Sequence, residues 1–336
     1  MYNESRTIGK DKLLLNLSFA EKIALANLII MEVFFMRCEA KTKNWFLLIG
    51  AFFLVAGKIV LAQSLQLDTR MTKKSYLEGE PIVVILCLRN TGQKELTVAE
   101  PLPLEGFVKN IITTADGDEP NAPRLVWDIL MPPQDYGVQL SPGQSLQQTW
   151  VINESYCFGL KPGSYRVLSI YDTSKHENTY PRVWHGKIYS NKLVFEVKVP
   201  PLEEKDSYIF LVSARKIILE QQRDRYFEAR NLLSDLIKKD PDSIYVPYAT
   251  YLIGETYFIK QADKKQYFAE ASQNFEDFLN RFPEYPYYSE LVRTTKLPFS
   301  LLQTGQITKA QEILKKVPNG YHKQRMIEQI QKKTIR

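Results

Sequence analysis

Residues 79–98 read GEPIVVILCLRNTGQKELTV, and this stretch decides the class of the first folded region. Every second residue of its centre is a large apolar one: Ile82, Val84, Leu86 and Leu88. This alternation is the period of a strand that buries one face. The run stops at 90–92, whose Asn-Thr-Gly sequence is typical of turns. The stretch therefore predicts a β-strand that ends in a tight turn.

The same alternation recurs downstream over 145–152, 164–172 and 192–199. In the last of these we expect one apolar set to face inward: Leu193, Phe195, Val197 and Val199. Turn-forming Pro-Gly and Asp-Gly pairs separate the runs. About seven short strands without a helical period predict two packed antiparallel sheets over 64–199.

Four segments of this region resemble the strands of bacterial immunoglobulin-like modules. They are GEPIVVILCLRNTGQKELTV, LSPGQSLQQTWVI, LKPGSYRVLSIYD and HGKIYSNKLVFEVKV, which begin at residues 79, 140, 160 and 185. The resemblance implies an immunoglobulin-like β-sandwich that serves binding or spacing. Such a fold alone assigns no function.

The strand at 82–88 also has apolar residues on its second face. Val83 and Ile85 would contact water if this sheet had nothing packed on that side. We therefore expect the helical region that follows to cover them.

Beyond Pro200 and Pro201 the apolar period changes to that of a helix. Predicted helices cover 208–222, 225–239, 244–260 and 266–281. Ala229 and Ala271 are 42 residues apart, and so are Pro241 and Pro283, which indicates an internal repeat. A third, shorter copy covers 308–318. The predicted class is therefore an all-β domain over 64–199 followed by an all-α domain of helical hairpins over 203–334.

The middle copy resembles the tetratricopeptide repeat (TPR). The positions that match are Ile253, Gly254 and Tyr257 in its first helix, and Ala271, Phe275, Phe278 and Pro283 in its second. Two features depart from the pattern: a long turn at 261–265, and Phe278 where a small residue is usual. The resemblance implies stacked hairpins whose concave groove accepts a peptide or a helix.

Tyrosines recur along the first helix of the middle copy, on the face expected to line that groove. They are Tyr245, Tyr248, Tyr251 and Tyr257. We predict that these four residues contact a partner, since aromatic side chains are favoured at interfaces. The alternative is that they fill space between the hairpins.

Residues 36–62 have the pattern of a secretory signal peptide. Arg37, Lys41 and Lys43 precede an apolar run over 45–57, and Val60-Leu61-Ala62 supplies a cleavage site. We therefore expect an exported protein, periplasmic or extracellular. Residues 1–35 are either an over-extended reading frame upstream of a true start at Met36 or part of an uncleaved membrane anchor.

The cysteines and histidines of the sequence form no recognisable redox or metal-binding motif. There is no CxxC pair, and cleavage would leave Cys87 and Cys157 as either a disulfide or two free structural thiols. The three histidines lack metal-ligand spacing, and no nucleotide-binding or hydrolase motif occurs. We expect no catalytic residue, no metal and no cofactor. The net charge of +6 lies partly in the leader, so it favours no nucleic-acid partner.

These patterns favour an exported, non-catalytic scaffold whose TPR-like groove binds a protein, with the sandwich as spacer or second binding surface. One alternative is a module that binds carbohydrate or the cell surface through aromatic residues near Trp127, Trp150 and Trp184. Another is a hydrolase whose paired carboxylates leave no sequence signal.

The leader generates a direct prediction. We expect intact-mass analysis of the exported protein to give Gln63 as the mature N-terminus. Retention of 1–62 in the exported chain would contradict the cleavage site.

Overall fold

A computed structural model describes residues 64–101, 107–121, 137–152, 159–259, 265–317 and 321–334. A β-rich region comes first and a helical region follows, in the order that the sequence predicts. Both belong to one compact unit, Gln63–Arg336. The predicted leader at 36–62 and the extension at 1–35 lie outside the described residues.

Most of the strands form where apolar and polar residues alternate. Within the described part of the β-rich region they are β1 Leu65–Met71, β2 Ser75–Leu77, β3 Val83–Asn90, β4 Leu96–Val98, β5 Val108–Thr114, β6 Val138–Leu140, β7 Ser145–Val151, β8 Gly163–Asp172, β9 Lys187–Tyr189 and β10 Leu193–Lys198. One sheet has the order β1-β3-β7, and another has the order β2-β10-β8-β5 with β9 also beside β8. Strands β4 and β6 pair separately. The strand pairs are antiparallel except β2 with β10.

One hydrophobic cluster joins the inward residues of both large sheets. Leu86 and Leu88 are fully buried, as predicted, and they share this cluster with Val167 and Phe195 of the other sheet. The prediction for Val199 is wrong, since this residue is 68% exposed. Strand β10 ends at Lys198, one residue before the predicted end, because the two prolines after Val199 have no N–H to continue the ladder.

The helical region contains helices close to the four ranges that the sequence predicts. A 3₁₀ turn at Leu202–Glu204 leads into α1 Lys205–Leu219, followed by α2 Tyr226–Lys239, α3 Val246–Ile259, α4 Lys265–Arg281, α5 Tyr288–Leu291, a π-helical turn Val292–Lys296, α6 Leu297–Thr304, α7 Ile307–Lys315 and α8 Tyr321–Thr334. Helix α1 packs on α2, α2 on α3, α3 on α4 and α4 on α6. Gly254 of α3 lies close to Phe275 of α4. A Cβ added at Gly254 would lie 2.7 Å from the phenylalanine ring. A glycine is therefore required there for α3 and α4 to pack at this distance.

The β-rich and helical regions share buried side chains. Val83 of β3 and Val151 of β7 belong to the same hydrophobic cluster as the residues between the helices. They are 3% and 1% exposed, respectively. The expectation that helices cover the second face of β3 is confirmed for Val83, while Ile85 is half-buried.

Candidate functional site

The predicted partner-binding tyrosines lie mostly in the protein interior. Tyr245 is 0% exposed, and Tyr248 and Tyr251 are each 4% exposed. Their burial gives no support to the expectation that these three residues contact a partner, which stays a prediction. The fourth, Tyr257, is half-buried, and the Arg230 guanidinium carbon lies 4.2 Å from its ring centroid.

Aromatic packing explains why two of these tyrosines are buried. The ring centroid of Tyr288 lies 4.4 Å from that of Tyr251 and 5.1 Å from that of Tyr248. Tyr285 in turn stacks on Tyr288 at 6.0 Å. The loop that follows α4 and the first residue of α5 thus supply the rings that cover α3 from one side. The tyrosines act as packing residues between α3, the loop and α5, which is the alternative that the sequence left open.

The remaining tyrosine of the set joins the helices to the β-rich region. The Tyr245 hydroxyl donates to the Glu78 carbonyl oxygen at 2.7 Å. Gly79 follows with a φ of +87°, and a Cβ there would lie 3.2 Å from the ring of Tyr208 on α1. We call this contact the joint: Glu78, Gly79, Glu80, Tyr208 and Tyr245. A left-handed glycine lets the turn between β2 and β3 lie flat against α1.

Both glutamates of the joint are buried and paired. Glu78 is 8% exposed and accepts from the Lys161 ammonium at 2.8 Å. Glu80 is 7% exposed, pairs with Lys73, and accepts from the Leu77 N–H at 3.0 Å. These partners hold the turn in one conformation, since a buried carboxylate without them would be costly.

The electrostatics of the joint keep its tyrosines protonated. Burial raises the pKa of Tyr208, and a hydrogen bond to the Glu78 side chain adds to the effect. Burial also raises the pKa of Tyr245, with the Glu204 charge as the next cause. A neutral phenol can donate a hydrogen bond, as Tyr245 does to the Glu78 carbonyl oxygen. The joint therefore attaches the turn between β2 and β3 to the helical region.

Other predicted residues are not brought together into a site. Cys87 is half-buried on β3, and Cys157 lies outside the described residues, so their pairing stays a prediction. Trp150 is 8% exposed and Trp127 lies outside the described residues, so the aromatic surface suggested for carbohydrate stays a prediction. Trp184 is half-buried and stacks on Tyr171. In the described part of the chain, no group of three His, Cys, Asp or Glu side chains is placed to hold a metal.

An accessible surface that the sequence analysis missed lies on the outer side of α1 and α2. Leu202 is 83% exposed and Ile209 is 50% exposed. Leu202 lies in the 3₁₀ turn that precedes α1, and Ile209 lies on α1 itself. Ser213, Lys216 and Glu220 follow Ile209 along α1 at a spacing of three or four residues, and they line a cleft of about 360 Å³ together with Ile217, Gln222, Arg225, Glu228 and Leu232. We call this surface the open face: Leu202, Ile209 and the cleft.

The open face has an apolar base and a charged rim. Ile217 is 6% exposed and Leu232 is partly buried. On the rim, Lys216 lies 4.0 Å from Glu220, and Arg225 lies 2.7 Å from Glu228. The sequence signal was present, because Leu202 and Ile209 are apolar residues at the two ends of a mostly polar stretch over 202–209. It was missed because exposure depends on which side the neighbouring elements pack.

Comparisons with known proteins give no family. No protein-family model matches the chain, and no curated protein matches it. Among solved structures, the CARDB domain of the PF1109 protein from Pyrococcus furiosus, solved with di-metal ions, is 13% identical with a TM-score of 0.23; the match covers 40% of this chain and 87% of that one. The sporulation control protein Spo0M of Bacillus subtilis is also 13% identical, with a TM-score of 0.22 and coverage of 45% and 55%.

A lipoprotein of Bacillus subtilis, YcdA, is 9% identical with a TM-score of 0.20, over 77% of this chain and 89% of that one. At these TM-scores the three likenesses carry no argument. None of the helices in the described residues is both long and apolar enough to cross a membrane.

Two tyrosines provide a matched test of the joint. Tyr245 and Tyr226 are both 0% exposed, but the Tyr226 hydroxyl is sealed without a hydrogen-bond partner. We expect Tyr245→Phe to lower the free energy of unfolding by about 1 kcal/mol. Tyr226→Phe should leave it unchanged or raise it, because no bond is lost. Urea unfolding measures both, and equal losses in the two variants would contradict the role of the joint.

The raised pKa values predict sensitivity to alkali. An unfolded tyrosine releases its proton near pH 10, whereas the buried tyrosines of the joint retain theirs. The unfolded state then binds fewer protons, so the free energy of unfolding should fall as the pH rises above about 10. Unfolding curves between pH 8 and pH 11 measure this slope. Tyr245→Phe should make it shallower, and an unchanged slope in that variant would contradict the assignment.

Proposed function

We propose that this chain is an exported, non-catalytic interaction protein. In this proposal an immunoglobulin-like sandwich is fixed to a TPR-like array, and a partner protein binds the open face of α1 and α2. Export rests on the leader pattern at 36–62. The compact unit begins at Gln63, the residue that the proposed cleavage would expose.

Two features support the architecture. The sheets β1-β3-β7 and β2-β10-β8-β5 share one apolar cluster, as the layers of a sandwich do. Ala229 and Ala271, the small residues of the 42-residue repeat, are both 0% exposed at helix contacts. Stacked hairpins bury such positions against their neighbours.

The observation that carries the proposal is the exposure of Leu202 and Ile209. The opposite side of the first hairpin is covered, because α2 packs against α3. The outer side instead presents apolar side chains that continue into a cleft. An apolar strip of this kind, bordered by charges, marks an interaction surface.

An amphipathic helix of the partner fits this surface best. Its apolar residues at a spacing of three and four would meet Leu202, Ile209 and the base of the cleft. The rim carries both signs of charge, so the polar flanks of such a helix would find complementary groups at Lys216 and Glu220. Because the joint fixes the sandwich to the other side of α1, binding here would leave the β-rich region free for a second contact.

Site-specific photocrosslinking in the native host tests the proposal. A photoreactive residue at 209 should capture a single partner, and the reacted segment should lie in an amphipathic helix of that partner. The matched control is position 194 on β10, where Val194 is 59% exposed. The double variant Leu202→Ser and Ile209→Ser should bind the partner at least about tenfold more weakly, a change of about 1.4 kcal/mol. Equal capture from both positions would contradict the proposed surface.

A further inference from the structure

Arg215 of α1 is a buried cation whose charge is not matched by a neighbour among the described residues. In that part of the chain, the buried charged side chains are Glu78, Glu80, Glu100 and Arg215. Glu78 and Glu80 each form an ion pair with a lysine. Arg215 is 5% exposed, and within the described residues its guanidinium has neither a hydrogen bond nor an ion pair. Water supplies hydrogen bonds but no opposite charge, so burial of this cation is costly unless an anion comes close.

The guanidinium still reaches solvent, although nearly all of the residue is covered. The polar side-chain atoms that are sealed without a hydrogen-bond partner in the described part of the chain are His185 Nε2 and the Tyr226 hydroxyl. The Arg215 nitrogens have no hydrogen-bond partner there either, but they are not among these sealed atoms. The small exposed fraction of Arg215 therefore includes its nitrogens, which lie at the end of a narrow opening.

Aromatic side chains border the guanidinium. Its central carbon lies 5.8 Å from the ring centroid of Tyr248 on α3. Tyr208 lies two helical turns before Arg215 on the same side of α1, and the Arg215 charge opposes the rise in the pKa of its phenol. The Tyr248 ring is itself stacked on Tyr251, with 6.3 Å between the centroids. The guanidinium therefore lies between α1 and α3 beside packed rings, so its position is fixed before a ligand arrives.

The charge and shape of the guanidinium select one class of ligand. The N–H groups of an arginine form a planar fork that matches the two oxygens of a carboxylate. One guanidinium supplies one positive charge, which a carboxylate neutralises. A phosphate group carries nearly two negative charges at neutral pH, so it would bring an unmatched charge into the opening.

We propose that Arg215 binds a carboxylate group that enters from solvent. The carboxylate accepts two hydrogen bonds from the guanidinium and neutralises its charge. The opening is narrow, so it admits a small carboxylic acid or the end of one acidic side chain.

The carboxylate site goes beyond the open face of α1 and α2 and does not depend on it. Ser213, Lys216 and Glu220 line the cleft of the open face, whereas Arg215 lies on the opposite side of the same helix. Failure of crosslinking at position 209 would leave the carboxylate site standing. Failure to bind a carboxylate would likewise leave the open face standing.

The probe is sodium acetate, added to the isotopically labelled chain at an ionic strength held constant with sodium chloride. We expect the Arg215 Nε–H signal to shift in a saturable manner by NMR, with a Kd between about 0.1 and about 10 mM, as suits so small a ligand. Sodium phosphate at equal ionic strength should bind at least about tenfold more weakly, because its second charge is unmatched. The Nε–H signal of Arg166, which is exposed on β8, should show no saturable shift.

Thermal unfolding provides a second readout, since a ligand that binds the folded state raises the Tm. Saturating acetate should raise the Tm of the unaltered chain by a few degrees more than chloride does. Arg215→Met should abolish this difference. Without acetate it should itself raise the Tm, because it removes an unmatched buried charge. The matched control Arg166→Met should keep the acetate response.

Two probes distinguish the sources of the carboxylate. A short peptide with blocked termini and a single glutamate carries the same group on a chain. Binding of acetate but not of the peptide would identify a small free acid as the ligand. Binding of the peptide at least as tight as that of acetate would identify an acidic side chain of a partner protein. Both outcomes support a carboxylate site.

Three results would overturn the proposal. They are an Arg215 signal that acetate does not shift at concentrations up to about 100 mM, a shift that chloride reproduces, and tighter binding of phosphate than of acetate. The NMR titrations use the unaltered chain, so their outcome stands even if Arg215→Met fails to fold.

Discussion

The structure depends on one constraint, which is that β3 is apolar on both faces. One face packs in the cluster between the two sheets, and the other would contact water without the helices. Burying a valine side chain stabilises by about 1.5–3 kcal/mol, so leaving Val83 and Val151 exposed would cost a large part of a typical folding free energy. The helices meet this requirement, and the turn between β2 and β3 places Glu78 where Tyr245 can bond to it.

Much of the local structure could be predicted from the sequence. Period-two alternation placed β3, β8 and β10, and the 42-residue offset placed α2 and α4. The prediction failed at Val199, where the apolar alternation continues in the sequence although β10 already ends at Lys198, ahead of the two prolines. Local patterns thus identified the elements well and their ends less well, because an end depends on the hydrogen bonds that the next residues can form.

The candidate site was harder to predict. Helical periodicity indicates that Tyr248 and Tyr251 lie near each other, but it does not indicate what covers them. That answer comes from Tyr288, which is close in space and some 40 residues away in sequence. The Asn191 contact with Thr69 is more distant still, with a sequence separation of 122. Contacts of this range leave no periodic signal, so the sequence could not distinguish packing residues from contact residues.

The connection between the regions is exposed, although the regions themselves are joined by buried side chains. Val199 is 68% exposed and Leu202 is 83% exposed, and both flank the two prolines of the linker. The union of sheet and helices therefore does not rely on chain continuity at this point. A protease that nicks the backbone there would produce two fragments that remain associated, and such fragments would separate only under denaturing conditions. A denaturing gel would then show two smaller fragments, whereas a measurement in native solution would give the mass of the uncleaved folded protein.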